Sequence, residues 1–265
     1  MAASAITPIL KFRVSACYGA REVLREVTGH IAANEIVALV GLSGSGKSTL
    51  ALSLLRLLRY RGGEATGSIV LEGDELIAKT DREMRAILGK HIGYVPQSPA
   101  SALNDRLRVE TLLDETWRAH SPAPPPEGFL TTLLENVQLP AGRDFLKQRA
   151  GQLSTGQGQR LLIALAIMHK PALLIADEPI SALDAITQAS VLKLFQQLNQ
   201  REGTAILFIS HDLLSIASIS HRVEILHEGR IVESGPPNEI FHAPQHEFTR
   251  RLIEAMPRTV TEPRP

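Results

Sequence analysis

The chain has 265 residues, enough for one or two domains and a sizeable core. Apolar residues at 44% and charged residues at 21% fit a soluble globular protein, and Lys+Arg balances Asp+Glu at 28 each, which argues against a generic nucleic-acid binder while leaving room for a local basic patch. The single cysteine, Cys17, excludes an intramolecular disulfide and any cysteine-built metal or iron–sulfur site, and it favours a reducing compartment.

The opening MAASAITPILKFRV has no charged region followed by a long apolar stretch, so no secretory signal is expected there. Residues 9–18 alternate, with Leu10, Phe12, Val14 and Ala16 on one face and Lys11, Arg13 and Ser15 on the other, which predicts a half-buried strand. EIVALVG (35–41) predicts a buried strand, followed by a Gly-rich turn and an apolar helix over 47–59. Strands are predicted again at 67–72 and 91–96. Residues 98–150 break this rhythm: leucine-bearing helical stretches are interrupted by SPAPPPEG (121–128), which reads as a helical insert with a Pro-rich loop. The most apolar region, Leu161 to Ala176, is interrupted by His169, Lys170 and Pro171, and its charge-free part, Leu161 to Met168, is far short of the roughly 20 residues a membrane span needs. A role at a membrane would therefore require docking to a partner.

After 153 the αβ rhythm resumes. ALLIAD (172–177) and TAILFIS (204–210) predict buried strands. The helix over 184–202 places Val191, Leu194, Phe195 and Leu198 on one face, with Gly203 as its C-terminal cap. RVEILH and RIVES flank Glu228-Gly229 and predict a hairpin. Strands alternating with helices imply a mostly parallel sheet with right-handed crossovers. Residues 257–265 are rich in Pro and charge and read as a frayed tail.

Three motifs carry chemistry. Gly41-Leu42-Ser43-Gly44-Ser45-Gly46-Lys47-Ser48, followed by Thr49, matches the phosphate-binding pattern G-x-x-x-x-G-K-[ST], between a strand and a helix as that pattern requires. Its backbone N–H groups and helix N-terminus suit phosphate oxygens; Lys47 is expected on the β- and γ-phosphates and Ser48 on Mg²⁺. Leu173-Leu174-Ile175-Ala176-Asp177-Glu178 is a buried strand ending in two acids at the ligand-binding end of a parallel sheet. Neighbouring strand residues point opposite ways, so Asp177 can support Mg²⁺ while Glu178 orients and deprotonates the attacking water. In Leu153-Ser154-Thr155-Gly156-Gln157, Ser154 and Gln157 form a capping box opening a helix over 155–169. Alone that is only a cap. Gly156 in the first turn adds no stability but permits close approach, and an exposed helix N-terminus of this kind binds phosphate.

These motifs, at 41–48, 153–157 and 173–178, stand in the order of the ABC ATPases, and the chain resembles that family over about residues 9–250. The resemblance adds four single residues. Gln97, after YVP, matches the Q-loop glutamine, with catalytic and Mg²⁺ roles. Asp184 of SALD (181–184) matches the D-loop. His211, after ILFIS, matches the switch histidine, and Tyr18 the aromatic that stacks on adenine. Without the family pattern Gln97 would read as a solvated loop residue, His211 as a structural or helix-start histidine and Tyr18 as a packed residue. Thr155 departs from the family's glycine and adds a side chain near the γ-phosphate; Gly158 and Gln159 follow in a stretch that is often glutamine-rich, and Ile180 replaces a common threonine.

The resemblance implies an α/β P-loop NTPase core, a mostly parallel sheet plus an antiparallel β subdomain, with a helical insert. It divides the chain into 1–96 and 153–245 as the two parts of the ATPase core, 97–152 as the helical subdomain, and 246–265 as a C-terminal helix and tail. It also implies ATP and Mg²⁺, a second ABC ATPase subunit in a head-to-tail homo- or heterodimer, transmembrane permease subunits, a peripheral place for the chain on the cytoplasmic face of a bacterial inner membrane, and, indirectly, an external solute-binding protein. No nucleic-acid partner is expected. Gln97 to Asn104 and the ending Phe241 to Leu252 resemble the importer subunits for nickel, dipeptides and oligopeptides; the single cysteine is nearer the shorter, nickel-type members. The alternative, a soluble ABC ATPase of DNA repair or translation, predicts paired cassettes, a long coiled coil or a basic linker, and none is visible. A P-loop kinase or GTPase predicts neither LSTGQ nor His211.

Overall fold

The structure, a computed structural model, describes residues 8–255. The tail over 257–265 lies outside them. A long antiparallel pair opens the chain, β1 (Pro8–Tyr18) and β2 (Arg21–Ala32), followed by β3 (Ile36–Val40), α1 (Lys47–Leu54), β4 (Glu64–Leu71), β5 (Asp74–Glu75), α2 (Asp81–Ile87) and β6 (Ile92–Val95). A helical stretch comes next, with α3 (Pro99–Ala102), α4 (Val109–Arg118), α5 (Phe129–Asn136) and α6 (Arg143–Lys147). The remainder runs α7 (Thr155–Ile167), β7 (Leu173–Asp177), α8 (Ala185–Glu202), β8 (Ala205–Ser210), α9 (Leu213–Ala217), β9 (Arg222–His227), β10 (Arg230–Gly235), α10 (Pro237–His242) and α11 (Glu247–Glu254).

Two sheets result. One is antiparallel, in the order β2-β1-β4-β5; the other, β10-β9-β3-β8-β7-β6, is parallel except for the β10 edge. The central strands β3, β7 and β8 are buried on both faces, and the alternation of side chains feeds two cores. Ile36, Ala38, Val40, Leu174, Ala176, Ile206 and Phe208 pack with the helical insert, α7 and α8. Val37, Leu39, Leu173, Ile175, Leu207 and Ile209 pack with α1 and the antiparallel sheet. Both loops that follow β3 and β7 therefore leave fully buried parallel strands at the same, C-terminal end of the sheet. The predicted fold class is the one observed.

Two expectations need correction. The apolar helix over 47–59 ends at Leu54: Arg56 takes a left-handed φ of 56°, and only a short 3₁₀ turn, Leu58–Arg61, follows. The Arg56 guanidinium bonds the carbonyls of Leu76, at 2.8 Å, and of Lys79, which holds the break in place. The helix predicted over 155–169 stops at Ile167. The hairpin at Glu228-Gly229 is present, both turn residues having positive φ (46° and 74°) as a type I′ turn requires. Among the described residues no helix is long and apolar enough to cross a membrane.

Candidate functional site

The turn between β3 and α1 is built around glycine. Gly46, the residue that caps α1, has φ 110°, and a Cβ there would meet the Leu24 side chain at 2.7 Å; at Gly41 a Cβ would lie 2.3 Å from the Leu226 carbonyl. Lys47 is 5% exposed, and its ammonium donates to the carbonyls of Gly41 (2.8 Å) and Leu42 (3.1 Å). An ammonium has three donors, so one remains for a ligand. Burial lowers the Lys47 pKa, and Glu178 and Asp177 pull it back up. Ser43, Gly44 and Ser48 are exposed, so the open side of the turn faces solvent.

The acid pair ends β7. Asp177 is 5% exposed and accepts a hydrogen bond from Ser48 at 3.1 Å. Burial pushes its carboxyl up, and the Glu178 charge adds to the rise, against the Ser48 hydrogen bond and the Lys47 charge. Its neighbour Tyr94 on β6 is pushed up to about 12 by burial and by the Asp177 charge. Glu178 turns the other way through a left-handed backbone, φ 47°, an uncommon state for a residue with a side chain. The backbone is over-determined there: Glu178 N–H donates to Ile209, and Ser181 donates to the Glu178 carbonyl through both its amide and its hydroxyl.

Glu178 is a meeting point for distant parts of the chain. Gln97, 81 residues away, donates to its Oε2 at 3.2 Å, and His211 Nδ1 lies 3.2 Å from the same oxygen. Lys47 Nζ is 3.9 Å from the other oxygen, Oε1. Six of the residues singled out in the sequence, Lys47, Ser48, Gln97, Asp177, Glu178 and His211, thus form one connected cluster at the ends of β3, β6, β7 and β8.

The remaining segment of interest stands apart. Ser154 accepts from the Gln157 amide (3.2 Å) and Gln157 bonds back to the Ser154 amide (3.0 Å), completing the capping box. Ser154 and Thr155 are exposed and the first turn of α7 holds no acid. The close approach that Gly156 permits is taken by the Thr187 methyl, 3.1 Å from where a Cβ would sit, and Gly158 packs on Pro99. None of these contacts reaches the phosphate turn.

The family profile described as ABC transporter matches residues 24–181, more than half of the chain. The chain is 41% identical over 249 residues to a Brucella ovis protein named for peptide import ATP-binding, covering 90% of this chain and 74% of the relative. The chain belongs to the ABC transporter family. Within it, the chain falls in the group of importer ATP-binding subunits and is an ATP hydrolase. The oligopeptide transport ATP-binding protein OppD of Lactococcus lactis subsp. cremoris is 37% identical over 229 residues, 86% of this chain and 68% of the relative. The dimeric structure of MJ0796, a bacterial ABC transporter cassette, superimposes with a TM-score of 0.74 at 25% identity over 86% of this chain and 98% of that one.

Two further residues of this ABC cassette occupy separate positions. Tyr18 ends β1, half-buried, and a Cβ at Gly63 would come within 3.0 Å of its ring. Asp184 caps α8, accepting from the Ile186 amide (3.1 Å) and from the Thr187 amide (3.0 Å) and hydroxyl (2.6 Å). Both its oxygens are engaged within the chain. Sequence reasoning overlooked the tip of the β9–β10 hairpin: the Gly229 amide donates to Ser45 at 3.3 Å, bracing the phosphate turn from behind. The only sequence signal is the Glu-Gly turn pair itself.

Proposed function

We propose that this cassette binds ATP with Mg²⁺ across Gly41 to Thr49, hydrolyses it at a site completed by a second cassette, and so drives import of peptide, nickel or metal-chelate cargo through a permease. The observation that carries this reading is the Glu178 cluster. Gln97 and His211 both hold Oε2, leaving Oε1 to accept a proton from water, while Lys47 stands 3.9 Å away to meet phosphate. What this chain lacks at the cluster is the exposed N-terminus of its own α7, an anion site with Ser154, Thr155, Gly156 and Gln157 in the first turn. A facing cassette would supply that part, and the likeness to a dimeric cassette supports the arrangement. Tyr18 would stack on adenine and Asp184 would lie at the junction of the two cassettes.

The residues fit magnesium. Asp177 is buried with Ser48 as its one side-chain donor, so the ionised carboxylate is short of positive charge. Ser48, Asp177 and the Gln97 amide offer oxygen ligands of the kind Mg²⁺ takes, and among the described residues no cluster of three His, Cys, Asp or Glu side chains holds a metal alone, so the ion would share its ligands with phosphate. When bound, Mg²⁺ would neutralise charge building on the β- and γ-oxygens.

The cassette would sit on the cytoplasmic face of a bacterial inner membrane, and the helical insert reached from Gln97 would press on the permease. An external solute-binding protein would deliver cargo. The relatives named for peptide and oligopeptide transport favour peptide cargo. Purification from detergent-solubilised membranes tests the reading: a permease subunit should co-purify, whereas ATPase activity stimulated by nucleic acid would favour a repair-type enzyme instead. Lys47→Ala should weaken ATP binding about 10–100-fold, the range for losing a charge-assisted hydrogen bond. Unchanged affinity by calorimetry would take Lys47 out of the site.

A further inference from the structure

Beside the phosphate turn lies an open pocket of about 650 Å³, whose lining includes Arg21, Val23, Arg25, Gly44, Ser45 and Gly229. Two of its walls are already fixed. The Arg25 amide donates to Gly229 at 2.8 Å, and the Gly229 amide donates to Ser45, so the start of β2, the hairpin tip and the phosphate turn are one bonded unit. Its lining carries two arginines, Arg21 and Arg25, and two acids, Glu22 and Glu228. Arg25 lies 3.4 Å from the Glu22 carboxylate, and Glu228 lies 3.9 Å from His227. Arg21 is exposed and its side chain has no hydrogen bond or ion pair among the described residues. It stands three residues after Tyr18, on the same hairpin, and shares the pocket with Gly44 and Ser45.

We propose that Arg21 is a further nucleotide-binding residue, donating to a phosphate that ATP and ADP have in common. The inference rests on the ATP site proposed above. A nucleotide whose base reaches Tyr18 and whose phosphates lie on the turn must pass the mouth of this pocket. A guanidinium beside a tight turn is suited to that anion: it is always charged, and its planar fork matches phosphate oxygens. Two of the three Lys47 donors are taken by loop carbonyls and the third is assigned to the β- and γ-phosphates, so Arg21 would supply a second cation.

The test is the affinity of the full chain for ATP, ADP and adenosine in wild-type, Arg21→Gln, Arg21→Lys and Lys47→Ala proteins. Arg21→Gln should weaken ATP and ADP alike by about tenfold, with the loss shrinking as salt rises, and should leave competition by adenosine unaltered. Arg21→Lys should recover part of the loss. Equal ATP affinity in wild type and Arg21→Gln, alongside a loss in Lys47→Ala, would overturn the assignment of Arg21 while leaving the ATP site intact. A loss confined to ATP, or one shared by adenosine, would also overturn it. Failure of the wild-type protein to bind ATP would instead remove the site on which the inference rests.

Discussion

Glu178→Gln should bind ATP as the parent does and turn it over about 10²–10⁴-fold more slowly, the range for a positioned general base. The substitution keeps the shape of the side chain and a carbonyl oxygen that Gln97 and His211 can still hold. What disappears is the ability to take a proton, together with the negative charge 3.9 Å from Lys47. The left-handed backbone at Glu178 is set by Ile209 and Ser181, not by the carboxylate, so the geometry should survive. Calorimetry for affinity and phosphate release for turnover separate the two quantities. Hydrolysis at the wild-type rate would remove Glu178 from the role of base.

Arg222→Ala should cost about 3–5 kcal/mol of stability, the cost of leaving buried charges without their partner. Arg222 on β9 donates to Glu35 at 2.8 Å, 187 residues away, to Glu224, and to the His30 carbonyl at 2.5 Å. It ties the end of β2 to the parallel sheet. Burial pushes the Glu224 carboxyl up, against the Arg222 charge; at Glu35 burial also acts upward, but hydrogen bonds from Arg222 and the Ala32 amide leave its pKa below the ordinary value. Without Arg222 nothing opposes burial at Glu224, which binds its proton still more tightly folded than unfolded, and Glu35 loses its main downward influence. Stability contributed that way is present below the unfolded pKa and lost as pH rises through the folded one. The deficit of the variant should therefore be largest at neutral pH and shrink toward acid. Urea unfolding across that pH range measures it, and a loss below about 1 kcal/mol at neutral pH would show that the cluster holds little.

The parallel sheet was legible because buried strands write themselves as unbroken apolar runs, as in Val37 to Val40 and Ile206 to Ile209. β2 was not, for a physical reason. Its buried residues Leu24, Val27 and Ile31 fall three and four apart, a helical spacing, because register shifts against β1 and a left-handed Glu26 (φ 53°) reset the alternation. The break at Arg56 was hidden too, since its cause is two carbonyls 20 and 23 residues on. α2 carried a readable signal that went unused: the capping box of Thr80 and Glu83. At the site, motifs pointed to each residue but not to the hub. That Gln97 and His211 meet on one oxygen of Glu178 follows from β6, β7 and β8 lying side by side, which only the sheet order discloses.

The most direct measurement is a structure of the Glu178→Gln protein grown with ATP and magnesium. The account predicts the triphosphate along the amides from Ser43 to Thr49, Lys47 on its β- and γ-phosphates, Ser48 and Asp177 at the metal, and the serine-capped helix of a facing cassette closing over the γ-phosphate. A nucleotide bound elsewhere, with Lys47 still held only by Gly41 and Leu42, would contradict it.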